Sequence, residues 1–151
     1  MKTQIIILAA GHGKRMQSEL PKALTPLHGK PFIAHVLDAV KESGVCDKPI
    51  IIIGQKGDQV RDTLGTSYFY AVQDKQLGTG HAVMIAENIA QNADLVVVLY
   101  ADHPLVSAQT IKNIVNTHIK DNAILTMATA TVPDFLDWRS AFVAFGRFIR
   151  D

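Results

Sequence analysis

Three runs of apolar, mostly branched residues govern what this chain can become: QIIIL at residues 4–8, PIIII at 49–53 and LVVVLY at 95–100. Each has strand length and is apolar at nearly every position, whereas a strand with one wet face alternates. Continuous runs of this kind predict parallel strands covered on both faces. Between and after them, apolar residues recur at helical spacing. The sets are Phe32, Val36, Leu37 and Val40; Val60 and Leu64; Val83, Ala86, Ile89 and Ala90; and Ile111, Ile114, Val115 and Ile119. Residues 68–72 and 123–129 are weaker strand candidates. Gly44 and Gly65 stand where helices should stop, and Ser107 is placed to cap the helix after Pro104. The alternation predicts an α/β fold with a doubly wound, mostly parallel sheet, whose ligands lie beyond the carboxyl ends of the strands.

A length of 151 residues suits one domain with a sizeable core. Fifteen basic residues against fourteen acidic ones leave a formal charge of +1, so no global field draws this chain to nucleic acid or a membrane surface. Any anion site must be local. The lone Cys46 has no disulfide partner within the chain and is expected to be a small buried residue. No apolar run approaches the roughly 20 residues that span a bilayer, and the first residues do not read as a signal peptide. The expectation is a cytoplasmic protein.

The first strand runs directly into LAAGHGKRM, residues 8–16, where two glycines and two cations follow an apolar strand with no acid. The spacing Gly11-x-Gly13 is that of a dinucleotide-binding turn, but Met16 stands where a third small residue is needed and no acid follows the second strand. The P-loop pattern is also absent. What remains is a turn whose backbone N–H groups can approach an anion, with Lys14, Arg15 and, beyond it, Lys22 as counter-charges. A nucleoside triphosphate fits that inventory.

Three more segments sharpen the reading: LPKALTPLHGKP at residues 20–31, QLGTGHA at 76–82 and LYADHPL at 99–105. Together with LAAGHGKRM they resemble the sugar-nucleotide pyrophosphorylases, and QLGTGHA is similar to the uridylyltransferases that make UDP-N-acetylglucosamine, a cell-envelope precursor. The resemblance covers residues 3–129 and resumes at 146–150. It implies a Rossmann-like nucleotide-diphospho-sugar transferase fold, the whole of 1–151 forming the N-terminal, nucleotide-binding portion of one such domain with its C-terminal part missing.

The resemblance also implies roles. Leu8, Ala9, Ala10, Gly11 and Gly13 would meet base, ribose and phosphate through the main chain, where small side chains let the nucleotide lie close. Arg15 would clamp the departing phosphates with its planar fork, and Lys22 would stand near the α phosphate as a point charge. Gln73, Gly78 and Thr79 would read the base; an amide that donates and accepts suits the uracil edge. Gln76 shares that loop without a separable role, and His81 is expected to cap or pack the following helix. Asp102, directly after the third apolar run and with no obvious structural partner in the sequence, would bind Mg²⁺. The family usually has glycine before it, where this chain has Ala101. Gly146 would lie on the sugar side.

The implied reaction moves UMP from UTP to N-acetylglucosamine 1-phosphate and releases pyrophosphate, with no covalent nucleophile; accordingly, no convincing Ser-His-Asp or Cys-His arrangement is visible. Two alternatives stand beside it: a nucleotide-binding remnant or oligomerising fragment without turnover, and a transferase using another nucleoside triphosphate. Relatives continue beyond the point where this chain stops, into residues that hold the amino sugar and a second metal ligand. The tail FLDWRSAFVAFGRFIRD carries five of the ten aromatic residues. Phe135, Trp138, Phe142 and Phe145 recur at spacings of three and four, predicting an apolar helical stripe and a homo-oligomer joined through it.

Overall fold

The computed structural model describes residues 1–11 and 20–144. Its centre is a four-stranded parallel sheet in the order β5-β4-β1-β6, built from β1 (Thr3–Leu8), β4 (Ile50–Ile53), β5 (Phe69–Val72) and β6 (Leu95–Tyr100). The three apolar runs therefore lie side by side, with Ile6 opposite Ile50 on one flank and Val98 on the other. Ile5, Ile6, Ile7 and all four isoleucines of β4 are essentially inaccessible, as strands covered on both faces should be. The fold class read from the alternation holds.

Helices α1 (Phe32–Ser43) and α5 (Ala108–Lys120) pack together on one face, where Ile33, Val36, Val40, Ile111 and Val115 meet Ile5, Ile7, Val97 and Leu99. Helix α2 (Gly57–Leu64) adds Val60 to the same core. The opposite face is covered by α3 (Thr79–Ile85) and α4 (Glu87–Ala90), whose Ala82 and Ala86 rest on Ile6, Ile50 and Ile52. The apolar pattern of residues 83–90 predicts one helix, but the chain breaks at Ala86 into two short ones.

Helix ends follow the punctuation. Gly44 stops α1 in the left-handed conformation, φ 63°, and Gly65 stops α2 at φ 75°, ψ −159°, a region open essentially to glycine alone. Ser107 caps α5 by accepting from the Thr110 N–H at 3.1 Å. A small hairpin, β2 (Pro26–Leu27) and β3 (Lys30–Pro31), turns through His28 and Gly29, both at positive φ.

Three further expectations fail. Residues 123–129 form no strand; Ile124, Leu125 and Met127 are exposed and lie beside the outer edge of β6, where no described strand offers a partner. β6 is covered on one face only: Val97 and Leu99 are buried, while Val96, Val98 and Tyr100 are 42, 38 and 41 % exposed. The reason is reach, since α3 contacts β1 and β4 and no described element extends over β6 on that side. In the aromatic tail, Asp137–Ala144 turns as a 3₁₀ rather than an α-helix, with Trp138 edge-on to Phe142 and largely exposed. Phe145 lies outside the described residues.

The chain runs β1, β4, β5 outward in one direction and then returns to place β6 on the other flank of β1. That reversal opens a crevice beyond the carboxyl ends of β1 and β6, the place where open α/β sheets hold ligands.

Candidate functional site

A cleft of about 310 Å³ occupies this crevice. Its floor is the chain leaving β1. Ala9 donates its N–H to Ile52 O at 2.8 Å and Ala101 donates to Leu8 O at 3.0 Å, so strand pairing continues past both strand ends and fixes the turn. Ala9 and Ala10 are buried, presenting little but backbone. Gly54 makes this possible from behind: a Cβ there would stand 2.8 Å from Ala10 O. Gln76 reaches across from the loop before α3 and donates its Nε2 to the same Ala10 carbonyl.

One wall is the segment between β5 and α3. Gln73 follows β5, held by its N–H to Ile53 O at 2.8 Å, and is 4 % exposed. Its Nε2 donates to Gly78 O at 3.1 Å and lies 3.1 Å from His81 Nδ1. Gly78 sits at φ 101°, which a side chain would strain, and from it the chain turns into α3 at Thr79.

The other wall carries the charges. Pro21 leads into a 3₁₀ turn, Lys22–Leu24, whose Ala23 and Leu24 are buried and anchor the backbone of Lys22. Lys22 Nζ donates to Asp102 Oδ2. The aspartate, expected to lack a structural partner, therefore has one, contributed from 80 positions earlier in the chain. The two side chains stay 39 and 26 % exposed, so the pair is partly solvated. His103 Nε2 is 4.0 Å from the other carboxylate oxygen and packs against Tyr100.

Nine sequence-predicted site residues line this one cleft: Leu8, Ala9, Ala10, Gly11, Lys22, Gln73, Gly78, Thr79 and Asp102. Gly13, Arg15 and Gly146 lie outside the described residues. Sequence reasoning missed Tyr100, the buttress at Gly54 and the Gln76 contact; the first two require knowing which strands are neighbours. His81, expected to cap or pack, sits in the first turn of α3 and bonds sideways to Gln73.

Among the described residues no Ser, Cys or His lines the cleft. It can seat a flat ring against main chain, present an amide edge and place one cation beside one carboxylate. No group of three or more metal-ligating side chains occurs among the described residues. A single carboxylate would nonetheless fit a hard divalent cation that took its other oxygens from a bound phosphate ligand and water. A larger groove of about 630 Å³ runs along the outer edge of β6 and α5. Its lining includes Val96 and Val98 of β6 and Ile114 of α5, and it shares Tyr100 with the smaller cleft but holds none of the predicted site residues.

The bifunctional protein GlmU of Thermoanaerobacter pseudethanolicus is 40 % identical over 146 residues, 97 % of this chain but 30 % of that protein. This chain thus spans about a third of the curated relatives it matches. A UDP-glucose pyrophosphorylase solved with UDP-glucose superposes with a TM-score of 0.67 at 24 % identity, over 82 % of this chain and 55 % of that one. Rv0371C of Mycobacterium tuberculosis, solved with manganese, gives 0.63 at 20 % identity over 78 and 59 %. Both structural likenesses speak to the fold. Residues 5–143, from β1 through the 3₁₀ turn of the tail and so including every described wall of the cleft, match the MobA-like NTP transferase domain, and the chain belongs to that family of nucleotidyltransferases.

Proposed function

We propose that this chain transfers UMP from UTP to N-acetylglucosamine 1-phosphate. An oxygen of the sugar phosphate attacks the α phosphorus of UTP, the bond from that phosphorus to the bridging oxygen of the β phosphate breaks, and pyrophosphate leaves with the electron pair. The observation that carries the reading is the convergence of nine residues from five separate segments on one cleft at the sheet's switch point. The GlmU relatives support the choice of uridine and of the amino sugar.

Leu8, Ala9, Ala10 and Gly11 form the shelf on which base and ribose lie, and Gln73 with the Gly78–Thr79 backbone meets the base edge. Lys22 stands at the α phosphate and Arg15 holds the β and γ phosphates. Mg²⁺, held by Asp102 together with phosphate oxygens, would supply further neutralisation of the developing charge. Rate then comes from alignment and electrostatics, without a covalent intermediate. We place the reaction in the cytoplasm; among the described residues no helix is long and apolar enough to cross a membrane.

A second reading, nucleotide binding without turnover, is favoured by one observation: Asp102 is the single carboxylate lining the cleft among the described residues. Calorimetric titration with UTP, CTP, GTP and ATP in Mg²⁺, followed by a pyrophosphate-release assay with N-acetylglucosamine 1-phosphate, separates the readings. UTP preference with release supports the transferase; UTP preference without release supports the binding module; preference for another nucleotide removes the uridine assignment. We assign self-association to the aromatic tail, where Trp138 is largely exposed; light scattering showing a monomer at high micromolar concentration refutes it.

A further inference from the structure

We propose that His81, which does not line the cleft, is a positioning residue that sets which atom of the Gln73 amide faces the base, and so selects pyrimidines carrying a ring N–H. The inference rests on the uridylyltransferase reading and deepens it. A glutamine side chain ends in two atoms of similar size and opposite character, and a half-turn about its last bond exchanges donor for acceptor. A free glutamine at the cleft wall would accept uracil and cytosine alike, turning to suit either.

Gln73 is not free. It is almost wholly buried, and its Nε2 lies 3.1 Å from two protein atoms, Gly78 O and His81 Nδ1. The carbonyl can only accept, so the nitrogen must be the amide atom on that side. The NH₂ can only donate, so Nδ1 of His81 must be its unprotonated nitrogen and the ring proton sits on Nε2. Both amide hydrogens are then committed. Among the described residues no donor engages Oε1, which is the amide atom left for a ligand in the cleft that Gln73 lines.

An acceptor fixed at that wall discriminates chemically. Uracil offers N3–H between two carbonyls and satisfies Oε1. Cytosine held in the same pose offers a bare N3 lone pair, which faces Oε1 acceptor to acceptor, and its N4 amino donor reaches Oε1 only if the ring shifts out of that pose. Turning the amide to meet cytosine would point Oε1 at Gly78 O and at the Nδ1 lone pair, two further clashes of like character. His81 thus doubles the penalty that Gly78 alone would impose, and it acts from the first turn of α3, whose place on the sheet is fixed by Ala82 and Ala86.

The test compares UTP, CTP and pyrophosphate binding by calorimetry in the parent, His81→Leu and His81→Asn. Leucine removes the acceptor; asparagine returns one, since its Oδ1 is as many bonds from Cβ as Nδ1. The UTP-over-CTP affinity ratio should fall by about fivefold in His81→Leu, the worth of one orienting hydrogen bond, and recover in His81→Asn, with pyrophosphate affinity unchanged in all three. An unchanged ratio in His81→Leu, or no recovery in His81→Asn, overturns the positioning role. Nitrogen-15 NMR of the parent reads the tautomer without any variant, and a protonated Nδ1 overturns the proposal. A parent that binds pyrophosphate but shows no preference for UTP over CTP refutes the acceptor argument, whereas a parent that binds no nucleotide refutes the uridylyltransferase reading and this inference with it.

Discussion

Replacing Gly54 by alanine tests whether the floor of the cleft depends on a residue that never touches it. The added methyl would sit 2.8 Å from Ala10 O, 3.3 Å from its Cα and 3.4 Å from its carbonyl carbon, all main chain. A flexible side chain could swing aside; this backbone cannot, because Ala9 N–H is bonded to Ile52 O and Ala10 O receives Gln76. The shelf must therefore retreat by about 0.5 Å or β4 must shift, a small-to-large change in a packed interior that costs about 2 kcal/mol. For a domain of this size that lowers the melting temperature by roughly 4–8 °C. The same displacement should weaken UTP binding if the proposed shelf is right, because the atoms being pushed are those on which the nucleotide would rest. Gly80 is the control: it lies inside α3 with open space where a Cβ would go, so Gly80→Ala should stabilise by about 0.5–1 kcal/mol. Melting curves and UTP titrations of both variants decide it. A Gly54→Ala protein that melts and binds like the parent refutes the buttress.

Asp102→Asn keeps the shape of the side chain and removes its charge; magnesium-dependent UTP binding should weaken while the far-ultraviolet spectrum and melting temperature hold, and unaltered binding would make the aspartate a turn residue. Lys22→Met frees the carboxylate of its cation, so manganese affinity without nucleotide should rise about fivefold, the scale of a partly exposed ion pair near 1 kcal/mol, while triphosphate affinity falls. Equal manganese affinity in parent and variant would show that the pair does not compete with a metal. Arg15→Ala should weaken UTP more than UMP, since its proposed partners are the outgoing phosphates; equal losses argue against that assignment. Burial, with Tyr68 nearby, pushes the Tyr70 phenol above its ordinary value of 10.0 against a smaller opposing effect of Arg61. Its contribution to stability is therefore complete below pH 10 and disappears as pH rises through the raised folded value, so Tyr70→Phe should flatten the alkaline loss seen in urea titrations between about pH 9 and 12.

All three apolar runs are strands, but only β1 and β4 have the symmetrical burial that such runs suggest. β1 and β4 are inaccessible on both faces, and their isoleucine runs say so directly. β6 has the same composition with one face open, because an apolar run records what a strand can bury rather than what the described chain lays over it. Residues 123–129 read as a strand for the same reason, yet a strand needs a neighbour's N–H and C=O groups as well as apolar side chains. The β2–β3 hairpin went unread although His28-Gly29 carries the signal: two residues at positive φ between short extended segments. The motif residues of the site could be named individually, while their couplings could not. Lys22 and Asp102 meet across 80 positions, and Gly54 meets Ala10 only because β4 lies beside β1.

Those couplings divide the cleft into two halves that behave differently. On the base side every described contact is internal and already made: Gln73 to Gly78 and His81, Gln76 to Ala10, Ala10 against Gly54. None of these described contacts must break for a ring to enter, so on the proposed reading recognition of the base would be preorganised and its free energy would go into discrimination. On the proposed phosphate side the described charges of Lys22 and Asp102 neutralise one another, and a triphosphate with its cation would enter there by separating them. Each would then find a stronger partner, the lysine a phosphate and the carboxylate a metal. Because the lysine would leave as the anion arrived, anion and cation would favour each other's binding. On the proposed reading, base choice would thus rest on packed, buried groups near α3, and charge handling, among the described residues, on two partly exposed side chains.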